Sequence, residues 1–238
     1  MRKQILTLAL FLSSSIAFAQ LGEQRNNLSV GINGGSLFSN VSFVSSVKQN
    51  TKQGLSGGFT ARYISEKYFS MICGLQVEVN YSQYGWKENF TVAGATTVDP
   101  RAFSRTLNYI EIPFLSHLAF GWDNGFQGFV NAGPQIGYMI SESSKANADY
   151  NNALPDLYNN YTNGEKASIE KINSKFDYGI AVGGGMEWHT RKVGSFILEG
   201  RYYFGLADFF DSRKGANFER SAHRVIGIKA TYLFDITK

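Results

Sequence analysis

A strict two-residue alternation that returns about eight times along the chain limits the folds open to it. Over residues 75–82, Leu75, Val77, Val79 and Tyr81 alternate with Gln76, Glu78, Asn80 and Ser82. Successive side chains of a strand face opposite sides, so this segment has one apolar and one polar face. In a chain that carries an export signal, eight such ribbons predict a wall with lipid outside and polar groups inside.

The export signal is read over residues 1–19. Arg2 and Lys3 supply the positive start, and an apolar stretch over 5–16 is interrupted by Thr7 and the serines at 13–15. Ala17-Phe18-Ala19 then reads as a small-x-small cleavage site. The apolar run is short for a spanning helix. The barrel domain is therefore expected over 20–238. Gln20, not a cysteine, directly follows the cleavage site, which argues against a lipid-anchored mature chain. The formal charge is +4, of which Arg2 and Lys3 supply two, and no Lys/Arg cluster in the sequence argues for a nucleic-acid partner. Cys73 stands alone on an apolar strand face, so neither a disulfide framework nor a cysteine metal site is predicted. Abundant glycine (25 residues), scarce proline (4) and 15% aromatics favour β structure. No stretch after residue 20 approaches the ~20 apolar residues of a transmembrane helix. The slightly negative mean hydropathy fits a wall in which half of each strand meets lipid.

Strands are predicted over 27–34, 55–65, 69–84, 106–120, 126–141, 175–188, 195–206 and 222–236. Their links alternate in length. Short ones fall at 65–68, 121–125 and 189–194; long ones at 36–54, 85–105, 142–174 and 207–221. Outer-membrane barrels place short turns in the periplasm and long loops outside. The expected architecture is thus all-β: an eight-stranded antiparallel up-and-down transmembrane barrel with four long extracellular loops. A short helix is expected over 167–172 in the longest loop. Pro113 and Pro134 fall inside strands, lose a ladder N–H, and predict local bulges.

These registers point Arg62, Glu78, Glu111, Glu187, Glu199, Arg201 and Lys229 inward. An eight-stranded barrel is just wide enough for side chains to fill it. Four carboxylates and three cations then predict a plugged, salt-bridged lumen, because an unpaired buried charge costs several kcal/mol; a gated pore or proton path is the alternative. No catalytic, cofactor or metal residues are assigned. Ser221 and His223 form the only nucleophile–base pair worth weighing, but ~7 Å separates two such positions on one strand face. Tyr84, Trp86, Tyr150, Tyr158, Tyr161, Phe209 and Phe210 supply loop aromatics that are either partner contacts or an outer girdle. For Trp86, Phe209 and Phe210 the girdle is favoured, with Trp122 and Trp188 in the inner girdle. A soluble lipocalin-like barrel would reverse the faces.

Several segments together resemble one family. They are Val30-Gly31-Ile32-Asn33-Gly34-Gly35, Leu75-Gln76-Val77-Glu78-Val79-Asn80-Tyr81, Asn108-Tyr109-Ile110-Glu111-Ile112-Pro113, Ala132-Gly133-Pro134-Gln135-Ile136-Gly137-Tyr138, Asp177-Tyr178-Gly179-Ile180 and Arg201-Tyr202-Tyr203-Phe204-Gly205-Leu206. The ordered set resembles the PorT-like outer-membrane barrels of Bacteroidetes. Membership would imply an eight-stranded barrel of the Gram-negative outer membrane with no established enzymatic role. It implies outer-membrane lipid and the barrel-assembly machinery as partners, with a secretion or surface protein as a further one. The functional readings kept open are a structural or loop-binding barrel first, then an accessory of type IX-like protein export, or a lipid A-modifying enzyme, which the resemblance does not itself imply. Phe234 followed by Asp235-Ile236-Thr237-Lys238 departs from the terminal aromatic common in outer-membrane strands.

Overall fold

The computed structural model describes residues 22–44, 49–89, 102–147, 171–190, 193–210 and 220–237. Eight strands form one closed ring in chain order: β1 (Glu23–Val44), β2 (Gln49–Tyr68), β3 (Met71–Asn89), β4 (Ala102–Gly121), β5 (Gly125–Ala146), β6 (Phe176–Thr190), β7 (Gly194–Gly205) and β8 (Arg220–Asp235). Every neighbouring pair is antiparallel, and β1 closes on β8 from Ser29↔Asp235 to Val44↔Arg220. Past the end of β8, the Ile236 and Thr237 N–H groups donate to the Leu28 carbonyl and extend the seam.

The period-two pattern sorts the faces as expected. Phe59, Leu75, Leu198 and Ile226 stand outward with more than half of their surface exposed, whereas Glu78 and Glu199 keep 1%. No helix among the described residues is long and apolar enough to cross a membrane. The apolar girth is carried by the outer rows of the ring, where a bilayer replaces water as the solvent. Trp188 belongs to these rows, stacked on Phe126 at 6.3 Å.

The strands outrun the predicted ones. β1 and β2 continue over most of the segment expected as the first loop, leaving four residues between Val44 and Gln49. β3, β4 and β5 likewise extend into the next two loops. β1 to β5 have 19–22 residues, but β6 to β8 only 12–16. One side of the wall therefore stands taller on its long-loop side. Residues 167–170 of the expected helix lie outside the described residues, and Lys171 and Ile172 are not helical. Tyr150, Tyr158 and Tyr161 also lie outside them.

The two strand prolines do not make bulges. β4 and β5 keep one register across them, with Pro113 opposite Gln135 and Ser116 opposite Ala132, and Pro134 faces Ile180 in regular pairing with β6. A missing N–H removes one ladder bond but need not insert a residue. The shifts fall elsewhere: at Asn108/Tyr109 in β4–β5, at Thr51/Ser56 and Ile64/Glu66 in β2–β3, and at Gln24/Asn27 in β1–β2.

Candidate functional site: the barrel interior

All seven charged residues placed inward by the sequence are buried inside the ring. Four of them join one network across the lumen. Arg201 on β7 donates Nη1 and Nη2 to Glu78 on β3 at 2.8 and 2.7 Å, and Nε and Nη2 to Glu199 at 2.8 Å each. Lys229 on β8 donates to Glu78 Oε2 at 2.6 Å. Gln76 and Asn80 also donate to Glu78, and Asn33 donates to Asn80 and Thr60. Glu78 is thus held by five donor contacts from three strands, the kind of satisfaction that a buried carboxylate requires.

Arg62 and Glu187 form a second strut, a bidentate pair at 2.5 Å joining β2 to β6. His117 lies beside it, its Nδ1 2.8 Å from Asn131 Oδ1 and its ring against Phe129. Glu111 lines one small cavity with Arg201 and Lys229 but makes no ion pair with either. It accepts from Gln135 Nε2 at 3.0 Å, and among the described residues no cation lies within ion-pair distance of it. Asp177, outside the predicted inward set, is a further buried carboxylate and accepts from Tyr203 at 3.0 Å. Its odd position between outward Phe176 and Tyr178 was the available signal.

Apolar layers close the interior at both ends. On the short-turn side Ile72, Ala119, Phe129, Ile197 and Leu233 pack together. Beyond them, Asp123 in the β4–β5 turn accepts from Arg25 at 2.8 Å and Lys67 at 2.7 Å, tying that turn to β1 and β2. Burial opposes ionisation of Asp123, but the hydrogen bonds from Lys67 and Arg25 outweigh it and hold the carboxyl below its ordinary range. A polar cavity of about 60 Å³, room for a few waters, enters beside Arg25, Asp123 and Asp235 and reaches inward past Ile72 to His117 and the Arg62–Glu187 pair.

On the long-loop side the favoured girdle placement is overturned. Trp86, Phe209 and Phe210 are 0%, 4% and 2% exposed and pack inside the barrel mouth. Trp86 follows the inward parity of Glu78, Asn80, Ser82 and Tyr84 because β3 continues through it. Phe209 stacks between Trp86 at 5.7 Å and His223 at 4.9 Å. The segment carrying it is anchored by hydrogen bonds: Asn173 and Ser174 N–H donate to the Phe209 carbonyl, and Phe209 N–H to the Ser221 carbonyl. Tyr84, Tyr109 and Tyr203 form the next layer down, with Tyr109 Oη 3.2 Å from His223 Nε2.

Ser221 and His223 are engaged separately. The Ser221 hydroxyl accepts from Phe210 N–H at 2.9 Å, and the His223 ring is enclosed by Tyr84, Tyr109 and Phe209. Both serve the aromatic closure. Among the described residues no group of three or more His, Cys, Asp or Glu could hold a metal ion.

A closed ring with apolar rows outside, an ion-paired filling and sorted connections defines an integral β-barrel of the outer membrane. The sequence model of the outer membrane protein beta-barrel domain matches residues 18–211, and the chain belongs to that family. No curated protein matches it. Among solved structures it is similar to the attachment invasion locus protein Ail of Yersinia pestis (12% identity, 89% of this chain and 99% of that one, TM-score 0.36). It is also similar to neisserial surface protein A (10%, 86% and 97%, TM-score 0.43). A third is OprG of Pseudomonas aeruginosa (12%, 90% and 98%, TM-score 0.44).

Proposed function

We propose that this protein is a sealed surface barrel, a rigid membrane platform whose outer face and loops bind, rather than a pore or an enzyme. The observation that carries this reading is the closure of the lumen in successive layers, from the Asp123 bridge through the two charge networks to the Trp86–Phe209 plug. A side-chain-filled interior leaves no open channel through the ring; water can reach the Arg62–Glu187 pair from the short-turn side, and the Glu78, Glu199, Arg201 and Lys229 network lies beyond that cavity, where ion pairs are stronger. Arg62, Glu78, Glu187, Glu199, Arg201 and Lys229 are in this view struts, with Glu111 held by Gln135 beneath the tyrosine layer.

The segments quoted above support placing it among PorT-like barrels, delivered by a signal peptide over 1–19 and inserted by the barrel-assembly machinery. A surface or secreted protein is the macromolecular partner that this reading favours. Reconstituted into a planar bilayer in concentrated potassium chloride, the protein is expected to give no conductance steps. Sustained unitary steps from heat-modifiable, folded protein would replace the platform by a pore.

A further inference from the structure

The outward face of the tall wall carries a charge cluster that the sealed lumen leaves unused. Lys87 on β3 and Lys145 on β5 lie opposite Ser104 of β4 from its two sides. The shift at Asn108/Tyr109 turns Lys145 to the same outward face as Ser104, because each one-residue slip exchanges the faces of a strand. Lys52 arrives from β2. Its stem crosses β3 over Gly85, where an added Cβ would lie 3.1 Å from Lys52 Cδ, and its Nζ donates to Ser104 Oγ at 2.8 Å. One ammonium thus meets the Ser104 hydroxyl, and two more lysines stand on the residues paired with Ser104 from either side, near enough to act on the Lys52 charge.

They repel one another. Burial first, then the charges of Lys87 and Lys145, push the Lys52 ammonium below its ordinary pKa. Among the described residues no carboxylate lies within ion-pair distance of any of the three. The acidic residues at this height, Glu88 and Glu142, pair in register with Gln49 and Leu107 on the opposite, inner face. Like charges held together, with no carboxylate among the described residues to pair them, fit an anionic ligand.

Height narrows the ligand. Below the cluster the outward row of β4 runs through Thr106 and Asn108 to Ile110, level with Tyr81 and Tyr138, where the apolar belt begins. Six residues of a tilted strand separate Ser104 from Ile110, a rise of about 15 Å. That places the lysines beyond the acyl chains and among surface saccharides. We propose that Lys52, Lys87 and Lys145, placed about Ser104, bind the phosphorylated saccharide headgroup of an outer-leaflet glycolipid. Ammonium–phosphate contacts are charge-assisted, and Ser104 adds a neutral donor that Lys52 already orients.

This rests on the platform reading above, and the two fail separately: conductance tests the lumen, headgroup retention tests the wall. The full chain in mixed micelles is offered lipopolysaccharide without O-chain, either phosphorylated or stripped of phosphate by hydrofluoric acid. Retention is measured by native mass spectrometry. The phosphorylated form should be retained at least tenfold better, and the triple variant K52Q/K87Q/K145Q should lose that preference while keeping its heat-modifiable fold. Inorganic phosphate alone should compete only in large excess. Equal retention of both forms, or an unchanged preference in the variant, would overturn the site. Inorganic phosphate binding as tightly as the lipid would overturn the lipid as its source.

Discussion

Arg201→Ala is expected to destabilise the barrel by about 3–5 kcal/mol, the cost of removing one partner from a buried ion network. Arg201 supplies four donor contacts to Glu78 and Glu199, both essentially inaccessible to solvent. Without it Glu199 loses its ion-pair partner, and Glu78 keeps Lys229, Gln76 and Asn80. The unfolding midpoint in urea with lipid vesicles, and the temperature at which the folded band is lost on a gel, should both fall. The double variant R201M/E199L should recover part of the loss, because a matched apolar pair leaves no charge stranded. Wild-type resistance in R201A would mean that the network is not holding the ring.

Gly31→Ala is expected to be at least as damaging, because it strikes the seam that closes the sheet. A Cβ at Gly31 would sit 1.7 Å from the Tyr232 carbonyl oxygen on β8, and one at Gly35 would sit 2.1 Å from that of Ile228. Both obstacles are backbone, so β1 and β8 would have to separate where they pair. Ordinary overpacking costs about 1–3 kcal/mol, and here it also disrupts ladder bonds. We expect G31A to accumulate unassembled, without a heat-modifiable form. Gly34→Ala, whose Cβ would come no closer than 3.8 Å to Ser56 O, is expected to assemble normally. Normal assembly of G31A would show that the two strands do not approach so closely there.

Much of this was legible in the sequence, for a definite reason. A spanning strand presents two solvents to its two faces, so parity alone assigned Phe59, Val79, Leu198 and Ile228 outward and Arg62, Glu78, Glu199 and Lys229 inward. Parity also pointed to Trp86 and Asp177. Trp86 was misplaced because β3 was expected to stop at Tyr84, and loop aromatics carry no face. Phe209 and Phe210 carry no periodic signal; their burial depends on hydrogen bonds to Asn173 and Ser174, far back in the chain, and to Ser221 on the following strand. Nor could periodicity say which charges meet. Arg62 reaches Glu187 and Arg201 reaches Glu78 across the lumen, and that pairing follows from the stagger of the closed sheet. The lysine cluster was hidden for a related reason, since the β4–β5 shift that turns Lys145 outward leaves no mark in composition.

Which face of the wall meets lipid can be read from the accessibility of single spin labels in lipid bilayers, in a Cys73→Ala background. Labels at Leu75, Val77, Val79, Gln135, Ile136, Leu198 and Glu199 are read by collision with oxygen, which concentrates in the acyl region. High oxygen accessibility is expected at Leu75, Val77, Val79, Ile136 and Leu198, and little at Gln135 and Glu199. Equal accessibility on both parities, or the reverse order, would contradict a barrel with its apolar rows in lipid and its charges sealed inside.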